Sequence, residues 1–286
     1  MSRNKDRTGN TGPSHDTPII PTTQDTTSDG GFSFVVPTDF VDLPSKGKFY
    51  PEHHPLHNVD SLELRQMTAK EEDLLTSKTL LKKGVAIDRL LESLIVNKKV
   101  KADSLLVGDR NALVIAIRIS GYGEQYTTQI TCPSCTHVQN KTFNLFEIKT
   151  QNETNLSALD VIDNGDGTFT TQLPKTKLNV KFGLLTGKHE KNLMSGMKMD
   201  RQNNKHERAI TRHLKNIIRS VNDNSSAEAL NYLIQHIPSM DSRHLRLAYK
   251  SASPNVELRD MFVCENCDFD QEMEVPLTAD FFWPDR

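Results

Sequence analysis

Tyr126-Thr127-Thr128-Gln129-Ile130-Thr131-Cys132-Pro133-Ser134-Cys135 and, far downstream, Cys264-Glu265-Asn266-Cys267 are the stretches on which the fold turns. Each Cys-x-x-Cys lies between strand-like segments and is followed by polar turn residues. Tyr126 to Thr131 leads into the first pair, and Val138 to Phe146 leads out of it. A Cys-x-x-Cys at a hairpin tip aims two sulfurs at one point. Two such tips give four thiolates in a tetrahedron, which suits Zn2+. The chain has four cysteines and all are used. About 130 residues separate the pairs, far more than in a compact zinc ribbon. The expectation is therefore a split ribbon closed by a structural zinc on Cys132, Cys135, Cys264 and Cys267, with a helical segment inserted between its halves. His137 reads as a solvent-facing neighbour of a complete site. The rival is a thiol redox site, which wants a Cys-x-x-Cys at a helix N-terminus in a βαβ context; neither pair has one.

Upstream of the first knuckle the pattern is α+β. Residues 1–31 are rich in Ser, Thr, Gly and Pro, with Ile19-Ile20 as the only aliphatic pair, and read as a disordered arm. Order is expected from near Phe32. Leu43-Pro44-Ser45-Lys46-Gly47-Lys48-Phe49-Tyr50-Pro51 has the chemistry of a fixed loop. Ser61 to Met67 alternates as a strand, and Thr68-Ala69-Lys70-Glu71 is a capping box that starts a helix at Ala69. Leu80 to Ile95 carries helical spacing interrupted at Gly84, which divides two helices. A third helix is expected over 103–120, stopped by Gly121-Tyr122-Gly123. His53-His54-Pro55-Leu56-His57 reads as an ordinary loop rather than a second metal site.

Downstream, Asp163-Asn164-Gly165-Asp166-Gly167 signals a hairpin turn and lacks the alternating acidic ligands of a calcium loop. Residues 186 to about 250 read as helical. Ile210, Leu214, Ile217, Ile218 and Val221 form one apolar face, and helix starts are expected at Ser225/Ser226 and Ser242. After Pro254 the chain returns to strand. The expected segments are 1–31 (arm), 32–124 (compact α+β unit), 125–185 (β-rich, first knuckle), 186–252 (helical insertion) and 253–286 (strands, second knuckle).

Composition bounds the function. The chain has 286 residues, with 35 Lys+Arg against 37 Asp+Glu. Its overall charge gives no bulk affinity for polyanions. There is no apolar run long enough to span a membrane and no apolar signal segment after Met1-Ser2-Arg3-Asn4-Lys5, so a cytoplasmic origin is expected. Lys188 to Arg219 holds nine Lys/Arg against Glu190, Asp200 and Glu207. Arg208, Arg212, Lys215 and Arg219 are spaced for one helical face, a candidate surface for an acidic protein partner. The alternative is a zinc-ribbon nucleic-acid binder using this helix around 205–219, which the scarcity of interleaved aromatics disfavours. No nucleophile elbow, P-loop, His-Glu-x-x-His or dinucleotide glycine pattern occurs, so no catalytic residue is assigned.

Several segments taken in order carry a resemblance. They are Asp42 to Pro51, Leu62 to Asp73, Val107-Gly108-Asp109-Arg110-Asn111-Ala112-Leu113, Ile119 to Gly123, the two knuckles and Phe281-Phe282-Trp283-Pro284. Together they resemble the baseplate hub subunit family of T4-like contractile-tailed bacteriophages over residues 32–286. The resemblance implies a non-enzymatic protein made in the host cytoplasm that helps build the central hub of the tail baseplate, as a virion component or an assembly factor. Its partners would be other phage tail or baseplate hub proteins, with no small-molecule substrate.

Overall fold

The computed structural model describes residues 36–147, 149–151, 156–203, 208–257, 259–275 and 279–282. The expected arm, the expected start of order at Phe32 and the terminal Trp283-Pro284 lie outside them. The chain divides at Pro37/Thr38, and Thr38–Arg286 forms one compact unit.

Within that unit, β1 (Thr38–Asp42) pairs antiparallel with β2 (Ser61–Arg65). Three helices follow, α1 (Ala69–Thr76), α2 (Lys78–Lys83) and α3 (Ala86–Leu94). The capping box forms as the sequence predicts. Glu71 accepts from the Thr68 backbone N–H at 3.2 Å and from its hydroxyl at 2.5 Å. Gly84 ends α2 at φ 69°, where a side chain would be strained, so α2 and α3 are separate helices. α4 (Val107–Tyr122) is capped by Gly123. It begins four residues later than expected, because Ala102–Ser104 forms a 3-10 turn and Leu106 pairs with Thr186.

Two long hairpin strands, β3 (Gln125–Thr131) and β4 (Val138–Asn144), carry the first knuckle. Next come β5 (Lys149–Gln151), β6 (Ile162–Asp163), β7 (Thr168–Gln172) and β8 (Asn179–Gly183). The Asp163–Gly167 segment makes the expected tight connection between β6 and β7. The 186–252 region holds α5 (Gly187–Gln202), α6 (Ala209–Ile217), α7 (Ala227–His236) and α8 (Ser239–Ala252), but it is not wholly helical. Between α6 and α7, β9 (Ile218–Val221) pairs with β8 and completes a four-stranded sheet of order β6-β7-β8-β9. The expected helical face through Ile218 and Val221 is thus corrected. Burial alternates along Ile218-Arg219-Ser220-Val221 with period two, and the β-branched residues favour the strand. Ser226 caps α7 as expected, accepting from Ala229 N–H. α8 starts at Ser239 instead of Ser242, because Pro238 presets the entry to its first turn. Finally β10 (Asn255–Glu257) pairs with β5, and β11 (Arg259–Val263) pairs with β12 (Asp270–Glu274) as the second knuckle's hairpin.

The result is mixed α+β with small sheets around one core. That core runs from Leu90, Leu94 and Leu113 through Phe169 and Phe182 to Leu245 and Phe262. α4 is its axle, and the Val107–Leu113 segment shows why. Gly108 lies against β10 so closely that a methyl there would sit 1.9 Å from the Pro254 carbonyl oxygen. Arg110 bridges Asp88 at 3.3 Å and Glu190 at 3.0 Å, joining α3 to α5. Asn111 reaches Asn255. At the other end of α4, fully buried Arg118 donates to the carbonyls of Phe281, Gly123 and Gln125, fastening the chain's last described turn. Gly108→Ala forces backbone against backbone, which neither side can relieve by a rotamer change. We expect it to lower stability by about 2 kcal/mol or more, read as a shifted denaturant midpoint at constant m-value.

Candidate metal centre

The two knuckles are the same turn built twice. Cys132 N–H donates to the His137 carbonyl at 2.8 Å, and Cys264 N–H donates to the Phe269 carbonyl at 2.9 Å. Thr136 N–H returns to the Cys132 carbonyl at 2.9 Å, and Asp268 N–H to the Cys264 carbonyl at 3.1 Å. Thr136 and Asp268 both adopt left-handed backbone, at φ 60° and 52°. For the β-branched Thr136 this conformation is costly, so the turn is imposed by its hydrogen bonds. In each knuckle the turn folds the second cysteine back towards the first.

The sequence leaves these turns 129 or more residues apart, and the fold brings them tip to tip. Cys132 Sγ lies 3.8 Å from Cys267 Sγ, and Cys135 Sγ lies 3.6 Å from Cys264 Sγ. All four sulfurs fall within 4.8 Å of one another, and they form the one potential metal-holding cluster among the described residues. A tetrahedral metal with bonds of about 2.3 Å to sulfur requires sulfur–sulfur edges of about 3.8 Å. The donor set therefore fits a closed four-thiolate site. Cys132 and Cys264 are fully buried, and Cys267 is exposed. His137 is exposed and contributes its backbone alone.

The sulfurs sit among hydrogen-bond donors. The His137 N–H, then the Asn266 side chain, draw the Cys135 thiol down to about 6. The Phe269 N–H pulls Cys267 the same way, but the crowd of neighbouring thiols outweighs it and pushes Cys267 up to about 12. Thiols packed this tightly oppose one another's ionisation.

Sequence reasoning missed what aligns the hairpins. Gln139 on β4 acts as a substitute peptide group. Its Nε2 donates to the Val263 carbonyl at 3.0 Å, and its Oε1 accepts from Glu265 N–H at 2.9 Å. Lys141 donates to the Met261 carbonyl at 2.5 Å and pairs with Asp260 at 2.9 Å. A buried polar residue at an inward strand position was the available signal.

The other candidates fare differently. His54 bonds Ser104 at 2.9 Å and stacks on Tyr50, while His57 bonds the Tyr50 carbonyl at 2.7 Å. These rings fasten a loop and do not converge on a metal. Arg208, Arg212, Lys215 and Arg219 do not share one face. Arg208 precedes α6, and it reaches back with Arg212 to the buried Asp200 of α5 at 3.1 and 2.8 Å. Arg219 lies on β9 and donates to the Asn216 carbonyl. Lys215 remains exposed on α6. A pairing eight or twelve residues apart across a helix turn is invisible to helical periodicity.

Asp200 makes the α5–α6 contact sensitive to acid. Arg212 first, then Arg208, hold its carboxyl at about 2, below the ordinary carboxylate value. A depressed native pKa stabilises above the unfolded value and loses that contribution as pH falls through the native one. The stability difference between the native chain and Asp200→Asn should thus be full at neutral pH. It should shrink from about pH 4 and vanish below about pH 2, as measured by urea midpoints across that range.

A family model described as T4 bacteriophage base plate protein matches residues 36–283, nearly the whole of the described body. No curated protein and no solved structure matches the chain. With two knuckles converging from its middle and its end, the chain belongs to the T4 bacteriophage base plate protein family.

Proposed function

We propose that this chain helps build the central hub of the tail baseplate, as a non-enzymatic component that acts through protein surfaces. Zn2+ on Cys132, Cys135, Cys264 and Cys267 is its internal staple. The family match over residues 36–283 carries this reading and supports a place in the virion tail, after assembly in the host cytoplasm. The chemistry of the interior agrees with it. Asp109, Glu71, Asp200, Asp241 and Arg118 are buried and polar, and each is bonded to neighbouring backbone, hydroxyls or cations that fasten one element to another. Zinc in a closed four-thiolate site supplies cross-linking, with no open position for a substrate. Within this reading, the expected segments 125–185, 186–252 and 253–286 belong with the part of 32–124 from Thr38 onward to one compact unit, and the expected 1–31 arm lies outside the described residues. Among the described residues no helix is long and apolar enough to cross a membrane.

Quantitative mass spectrometry of purified virions and of tail intermediates from infected cells tests the proposal. A small fixed copy number in virions makes the chain a built-in hub component. Presence in hub intermediates with absence from virions makes it an assembly factor. Absence from both contradicts the hub role.

A further inference from the structure

The helices of the 186–252 region leave an apolar groove open between α5, α6 and α8. Its volume is about 460 Å3. Leu193 and Met197 of α5, Ile210 of α6 and Tyr249 of α8 line it, with His213 set edge-on against Tyr249 at 5.0 Å. Ile210 is 51% exposed there, and Met194, one residue on from Leu193, is 65% exposed. The unbranched Met197 side chain in this lining adapts to an incoming side chain. Arg246 and Lys250, one turn apart on α8, stand at the rim, and among the described residues no carboxylate lines the groove. The nearby acids on α5 are already taken, Glu190 by Arg110 and Asp200 by Arg208 and Arg212.

We propose that this groove binds an acidic amphipathic helix of another baseplate protein. The proposal rests on the hub-building role above and names the kind of partner. Three helices wall the groove, and beyond their first and last turns their backbone groups are bonded within each helix. An incoming segment finds no strand edge to pair with and must satisfy its own backbone, which a helix does. Its apolar face would cover Ile210, Met197 and Tyr249, and its flanking Glu or Asp would meet Arg246 and Lys250. A second copy of this chain is disfavoured, because a two-fold contact through the groove would set Arg246 and Lys250 against themselves.

Photo-crosslinking in infected cells tests this. Ile210→p-benzoylphenylalanine reports from the groove, and Tyr232→p-benzoylphenylalanine reports from a separate surface on α7. The expected result is an Ile210 adduct mapping to an acidic helical segment of another baseplate protein. Adding Arg246→Glu with Lys250→Glu should cut its yield about tenfold or more, with thermal unfolding unchanged. An adduct to a second copy, to nucleic acid or to a basic segment overturns the proposal. So does the absence of an Ile210 adduct in chains that still sediment with baseplate intermediates. If the chain does not sediment with them at all, the hub reading itself fails. An Ile210 adduct to an acidic helix outside the baseplate would then still support the groove's ligand chemistry.

Discussion

If Zn2+ joins the knuckles as proposed, Cys132→Ser should yield a metal-free chain with the two hairpins parted. Cys132 is fully buried and lies 3.8 Å from Cys267, so no other side chain can swing into its place. Serine is a poor ligand for a soft thiolate site, and its hydroxyl would be left among apolar neighbours. Structural zinc in isolated fingers is worth about 10–16 kcal/mol of folding free energy. Here Gln139, Lys141 and the packing of Phe143 and Phe262 hold part of the interface independently. The expected loss is therefore smaller than in a finger, about 4 kcal/mol or more. Metal content should fall from one ion per chain to near zero, and the unfolding midpoint should fall with it. Cys267→Ser, at the exposed corner, removes a ligand without disturbing the core. It separates loss of metal from loss of packing. A metal-free Cys132→Ser protein with native stability would refute the ligand assignment.

Asp109→Ala should be nearly as damaging, although no metal is involved. Asp109 projects from the first turn of α4 and is 1% exposed. Its carboxylate accepts the Ser45 N–H at 2.9 Å, the Ser45 hydroxyl at 2.6 Å and the Tyr50 hydroxyl at 2.8 Å. Tyr50 in turn accepts the Leu106 N–H at 3.0 Å. Burial pushes the Asp109 carboxyl up, and the three bonds pull it back. Burial first, then the Asp109 charge, push the Tyr50 phenol far up, so it stays a donor. Alanine would leave the Ser45 N–H and two hydroxyls buried without their acceptor. Charged hydrogen bonds contribute about 1.5–3 kcal/mol each, partly offset by relief of the buried charge, and the expected cost is about 3–4 kcal/mol. Hydrogen exchange would show the 43–51 loop opening ahead of global unfolding. Unchanged exchange at Ser45 and Gly47 would contradict the anchor.

The knuckles, the Thr68–Glu71 capping box, the Gly84 break and the Asp163–Gly167 turn were legible because each is local, with its partners within a few residues. The four-cysteine cluster was legible for a different reason: two Cys-x-x-Cys pairs use every cysteine of the chain, and the fold brings them together. The Val107–Leu113 segment was legible as a motif and not as a mechanism. Its aspartate bonds Ser45, 64 residues away, and its glycine makes room for Pro254. Arg208 and Arg212 looked like a free cationic face because Asp200 sits on the preceding helix, α5. β9 was hidden because Ile217-Ile218 suits a helix end and a strand start equally well, and pairing with β8 decides between them.

The claim that joins these observations is that four thiolates from two distant knuckles hold one ion. X-ray absorption at the zinc edge, with elemental analysis of the same purified chain, tests it most directly. The account predicts one zinc per chain, bound by four sulfurs at about 2.3 Å with no nitrogen or oxygen ligand. A folded chain free of metal, with all four thiols reactive towards a disulfide reagent, would contradict it.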